Sequence, residues 1–312
     1  MQTGSTLEHP AAAQRGGASA DEERARISAL LAGASFELSS RIPGEIDACV
    51  GLLEPGTAVY ISMPPGQTCH GTVALAARLK RAGFRPVPHI AARRIANREA
   101  LGEYLARAAG EAGVDRALVI GGDSDRASGP FDSSLSLLET GLFQRHGILR
   151  VGVAGYPEGH PKIAASALET ALAGKKTFAR RVGIDLSVVS QFCFESGLVL
   201  SWAARMKGHG LPLRIGLAGP ASLSRLLRFA VLCGIGNSVR ALKARPQAIT
   251  RLLVESGPEV VVREIARHAG APIAGIHFFC FGGLVRTARW LRAIRDGRFE
   301  LTSDGGFRVG VA

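Results

Sequence analysis

The run Val151-Gly152-Val153-Ala154-Gly155, with the loop after it, limits this chain more than any other stretch. Small apolar residues after Ile148-Leu149-Arg150 read as a buried parallel strand, which is covered on both faces and need not alternate. The run then breaks into Tyr156-Pro157-Glu158-Gly159-His160-Pro161, and a helical pattern resumes over 162–176. A strand, a rigid loop and a helix start in that order hold an aromatic ring, an acid and an imidazole where a strand ends. In α/β proteins that is where ligands sit.

The same unit recurs along the chain. Apolar runs predict strands over 34–38, 57–63, 85–91, 117–121, 151–155, 186–192, 213–218 and 274–279. Helical patterns lie between them, among them 21–31 (with Ser19 or Asp21 as cap), 68–81, a helix from Ser222, two or three helices within 224–269, and 283–294. Eight strands alternating with helices over ~260 residues have the size of a (βα)8 TIM barrel. The expected fold is therefore α/β: one barrel domain over 21–296 with an extra N-terminal helix. Residues 1–20 lack periodicity and read as a disordered tail, and 297–312 are left as an unassigned C-terminal tail.

Composition removes several function classes. No apolar run reaches the ~18–20 residues of a membrane span, and the first residues lack the basic-then-apolar order of a secretory signal, so a cytoplasmic protein is expected. Cys49, Cys69, Cys193, Cys233 and Cys280 are far apart and form no CxxC pair. They read as free thiols in a reducing compartment rather than a zinc site. The formal net charge of +12 permits nucleic acid, but the basic residues are spread over many helices and only 6% of residues are aromatic. Anionic small molecules would be attracted as well, and charge alone does not choose between them. No two histidines stand at i,i+2 or i,i+4, so no metal is expected.

Several polar residues interrupt the apolar strands. Glu37, inside Ala34-Ser35-Phe36-Glu37-Leu38, is costly to bury unless paired or used. His89 follows Pro88 in the third strand, and His277 lies in the eighth, where a core role is expected. Gly121-Gly122-Asp123-Ser124 ends the fourth strand, and glycines there let the backbone approach a ligand. Gln191, before Phe192, ends the sixth, where a buried amide needs partners.

The Gly-Tyr-Pro-Glu-x-His-Pro run of 155–161 closely resembles the corresponding run of the 5,10-methylenetetrahydrofolate reductase family, a flavin-dependent (βα)8 barrel. Phe36-Glu37, His89, Gly122-Asp123, Gln191-Phe192 and His277-Phe278-Phe279 resemble its other strand-end motifs in order. Leu38-Ser39-Ser40 replaces the aromatic-proline continuation of the first motif, and Gly121 stands where the family has arginine. The resemblance implies that FAD accepts hydride from NADH or NADPH and delivers it to a methylene carbon of folate. It assigns Glu37 as the general acid, with a raised pKa, and Asp123 as the group stabilising cationic character. Gln191 and Phe192, with Asp123, would bind the pterin. Ser62, His89, Gly122, Asp123, Tyr156 and His160 would hold the flavin. On the following helix the implied cofactor positions are Glu169, Lys176 and Arg180, with Lys175 a further option for the phosphates.

Other readings stay open. The same site could oxidise methyltetrahydrofolate, or transfer hydride directly from nicotinamide without flavin. A folate- or flavin-binding module and a basic nucleic-acid binder are the non-enzymatic options. A homo-oligomer is compatible with the sequence.

Overall fold

Along a strand, successive side chains point to opposite faces, and here the two sets find different surroundings. The computed structural model describes residues 19–38, 44–64, 66–232, 255–268 and 270–310. It closes eight parallel strands into one barrel: β1 (Ser35–Leu38), β2 (Ala58–Ile61), β3 (Arg85–Ala91), β4 (Arg116–Ile120), β5 (Arg150–Gly155), β6 (Asp185–Phe192), β7 (Leu213–Ala218) and β8 (Ile273–Phe279). Their order around the ring is β1-β8-β7-β6-β5-β4-β3-β2. Phe36, Leu38, Val59, Ile61, Val153 and Phe278 belong to the large cluster shared with the helices. Tyr60, Val87, Leu118 and Val189 form a separate, smaller cluster inside the ring. Glu37, between Phe36 and Leu38, therefore faces inward, level with Tyr60 of β2 and Phe279 of β8.

The helices are α1 (Ala20–Leu31), α2 (Glu45–Cys49), α3 (Cys69–Arg81), α4 (Arg98–Ala112), α5 (Ser134–Leu138), α6 (Leu142–Arg145), α7 (Ala165–Val182), α8 (Ser196–Met206), α9 (Leu223–Leu232), α10 (Glu259–Arg267) and α11 (Leu284–Arg295). Strands expected over 85–91 and 213–218 have those bounds, and the others differ by at most two residues at an end. The helix expected over 162–176 differs more, running from Ala165 to Val182. The Lys162 amide donates to His160 Nδ1 at 3.1 Å, and His160 bridges to Ile163. These contacts hold the backbone in a turn and delay the helix. Residues 1–18 of the tail expected over 1–20, Ser39, Ser40, Cys233 and much of the 224–269 helical region lie outside the described residues, while Ser19 and Ala20 belong to the cap and start of α1.

α1 opens on a capping box: Ser19 Oγ accepts from the Glu22 amide, and Glu22 Oε2 accepts from the Ser19 amide. Its inward face carries Glu23 beside Ile27 and Leu31. Glu23 is buried because α10 supplies two guanidiniums, Arg263 (2.9 Å) and Arg267. Arg263 also donates to the carbonyls of Thr302 (2.7 Å) and Gly306 (2.5 Å). Those carbonyls belong to a hairpin pairing Phe299–Leu301 with Phe307–Val309, in the segment left unassigned by sequence. Phe299 and Phe307 are buried, and Phe307 lies against Trp290 of α11. Glu23 thus ties α1, α10 and the hairpin together.

Among the described residues no helix is long and apolar enough to cross a membrane. Gly155 is required at the end of β5: a Cβ there would come within 2.7 Å of Trp202 Cζ2 and Val188 Cγ1. Gly155→Ala is therefore expected to cost about 1–3 kcal/mol by overpacking. A denaturant titration with an unchanged midpoint would contradict that packing.

Candidate active site at the barrel mouth

The inward positions near the carboxyl ends of β1, β3 and β8 bring together a carboxylate and two imidazoles. Glu37 Oε2 lies 3.5 Å from His277 Nε2 and 3.7 Å from His89 Nε2. His277 is fully buried, and its other nitrogen, Nδ1, shares a 3.0 Å hydrogen bond with Ser35 Oγ. The Ser35 contact orients the ring so that Nε2 faces the carboxylate. Tyr60 packs on His277 with ring centroids 4.5 Å apart. His89 is 8% exposed, and among the described residues its Nε2 makes no hydrogen bond. Ser62 donates to the Leu38 carbonyl at 3.3 Å, beside the same carboxylate.

This setting reverses one expectation. Burial acts most strongly on Glu37 and would raise its pKa, but His89, then His277 and the Ser62 hydroxyl, outweigh it and hold the carboxyl below its ordinary range. Burial lowers the pKa of His89, only partly countered by Glu37. The resting site therefore holds a carboxylate beside a neutral His89, not a carboxylic acid. His277→Gln, which removes one of these imidazoles, is expected to raise the Glu37 midpoint in a 13C-carboxyl NMR titration. An unchanged midpoint would show that His277 does not act on the carboxylate.

Asp123, past the end of β4, is 70% exposed on its side chain, and its Oδ1 accepts from Arg94 Nη2 at 2.8 Å. Gly122 before it has φ +97°, in the region open to glycine. A cavity of about 300 Å3 adjoins, lined by Gly66, Gln67, Arg94, Asp123 and Ser124.

Past β5, Tyr156 and His160 meet edge to face at 5.0 Å. Burial, then Lys162 and Arg93, lowers the pKa of His160, which leaves a neutral ring. Lys162 bonds Asp125 at 2.5 Å and so links this loop to the one carrying Asp123.

A β-bulge between Val189 and Phe192 re-aims the end of β6. Gln191 Oε1 there accepts from the Phe192 amide at 3.1 Å. Phe192 anchors an aromatic group with Phe194, Phe229, Phe279 and Phe281. Gly216 of β7 makes room for it, since a Cβ there would lie 2.8 Å from Phe279 Cε2.

Glu169, Lys176 and Arg180 are set apart from these strand ends. Lys176 and Arg180 line a second cavity, of about 370 Å3, with Ala173, Thr177 and His209. Glu169 bonds His209 at 2.5 Å. With α7 starting at Ala165, Lys176 lies roughly 16 Å along the helix from its start. Lys175 is half-buried, which lowers the pKa of its amine.

Sequence reasoning placed Glu37, His89, Asp123, Tyr156, His160 and Gln191 at strand ends, where they are found. It gave His277 a core role and did not select Ser35, Tyr60 or Arg94. For His277 a signal was present: in a closed eight-stranded ring β8 lies beside β1, so inward residues at matching levels meet. Among the described residues no three His, Cys, Asp or Glu side chains are grouped to hold a metal ion.

No family model matches this chain. Among solved structures it is similar to a dihydropteroate synthase from Thermus thermophilus in complex with 6HMPPP, at 13% identity and TM-score 0.46 over 85% of this chain and 92% of that one. It is also similar to a deoxyribose phosphate aldolase from Aeropyrum pernix, at 14% identity and TM-score 0.41 over 89% and 100%. Such values carry nothing about chemistry, and the barrel rests on the strand order itself.

Proposed function

We propose that this protein is an oxidoreductase that reduces 5,10-methylenetetrahydrofolate to 5-methyltetrahydrofolate with NADH or NADPH. The observation that carries the reading is the Glu37 carboxylate, its side chain 17% exposed, held between His89 and His277 at the barrel mouth. The exposed Asp123 carboxylate and the Gln191 amide end two other strands of the same ring. Opening the methylene bridge needs a proton on a weakly basic nitrogen, followed by hydride at the methylene carbon. Burial is already the strongest influence on Glu37. A folate ring seated over it removes further water, raises its pKa and lets it take up the proton it then donates. Asp123 stabilises cationic character on the iminium carbon, and Gln191 orients the pterin.

The residues present suit a flavin. The orphaned His89 Nε2, the neutral His160 against Tyr156, and the glycine backbone at Gly122 would border its ring system, with Ser62 nearby. Lys176 and Arg180 on α7 would supply the cations for its phosphate end. When bound, FAD supplies hydride transfer between nicotinamide and folate. Reduced nicotinamide added anaerobically to the flavin-loaded protein is expected to bleach its visible spectrum. A protein that stays colourless with added flavin would sink the flavin assignment and leave direct transfer from nicotinamide.

A further inference from the structure

Asp123 and Arg94 are unequally exposed. The Arg94 side chain is 16% exposed, against 70% for Asp123. One guanidinium nitrogen, Nη1, donates to the Met63 carbonyl, and Nη2 donates to Asp123. A fixed, nearly buried cation therefore holds a carboxylate that opens onto the cavity at the mouth.

The neighbouring Arg93 ties the backbone of the loop carrying Asp123. The Arg93 amide donates to the Gly121 carbonyl at 3.0 Å, and its side chain donates to the carbonyls of Ser124 (3.1 Å) and Asp132 (3.2 Å). The Arg93 carbonyl accepts from the Ser128 amide at 2.8 Å. With the backbone held in this way, the Arg94 guanidinium acts on the Asp123 side chain itself.

We propose that Arg94 is a positioning residue for Asp123: it holds the carboxylate at the mouth so that it meets the donor edge of the pterin. This rests on the folate reading above. A loop-tying exposed ion pair, the plain alternative, would leave ligand affinity untouched. A carboxylate held in place for charge-assisted hydrogen bonds would not.

The test measures the Kd of 5-methyltetrahydrofolate by calorimetry for the FAD-supplemented full-length protein and its variants. Arg94→Ala is expected to weaken binding on the order of tenfold, with Arg94→Lys intermediate. Arg94→Ala in an Asp123→Asn background is expected to add nothing to the loss from Asp123→Asn alone. Wild-type affinity in Arg94→Ala or fully additive losses in the double variant would each overturn the role of Arg94 and leave the folate reading standing. A wild-type protein that binds no folate would overturn the folate reading, and this proposal with it.

Discussion

Glu37→Gln is expected to lower turnover of methylenetetrahydrofolate by about 10²–10⁴-fold, the usual contribution of a general acid. The amide matches the carboxylate in shape and still offers an oxygen to His277, so the barrel should fold and bind its ligands. The loss should appear in kcat, with KM changed little, because protonation belongs to the transition state. Steady-state rates of nicotinamide oxidation with folate present read this directly. Near-wild-type turnover in the variant would remove Glu37 from proton transfer.

The second large effect lies in the anchoring of α1. Glu23→Ala leaves Arg263 buried without its counter-charge. Breaking a buried pair from one side costs about 3–5 kcal/mol, or on the order of 10 °C in Tm for a chain of this size. The same carboxylate gives a pH signature. Hydrogen bonds from Arg263, opposed by burial, and then Arg267 take its pKa from an ordinary 4.5 to about 2. A depressed carboxyl stabilises the fold fully above its unfolded value and loses that contribution as pH falls through the folded value. The wild type should therefore lose stability relative to Glu23→Gln between pH 4.5 and about 2, measured by thermal melts. An unchanged Tm in Glu23→Ala would show that α1 is not anchored through this pair.

Local pattern and long-range contact divide what could be read from the chain. β3 and β7 were legible to the residue, because β3 opens on Arg85 after Gly83 and stops before Arg93-Arg94, and β7 lies between Pro212 and Gly219-Pro220. The start of α7 was not, since a side-chain bond from His160 competes with the helix and leaves no trace in periodicity. Phe299–Leu301 and Phe307–Val309 are too short to register as strands, yet their two phenylalanines complete the core. Strand ends collected Glu37, His89 and Asp123 because a barrel gathers such ends whatever their sequence separation. The ionisation of Glu37 was legible in neither sense. It depends on imidazoles delivered by β3 and β8, and their distances of 3.5–3.7 Å follow from register, not composition. Arg94 escaped notice for a similar reason, since a long side chain crosses between loops and the sequence does not say which carboxylate it reaches.

The central claim is a reaction, and product formation tests it most directly. The purified full-length protein, with and without added FAD, would be incubated anaerobically with 5,10-methylenetetrahydrofolate and either NADH or NADPH, and the folates separated by chromatography. The account predicts 5-methyltetrahydrofolate in stoichiometric step with oxidised nicotinamide, greatly reduced in Glu37→Gln. Unconsumed methylenetetrahydrofolate with both nicotinamides, with and without flavin, would contradict it.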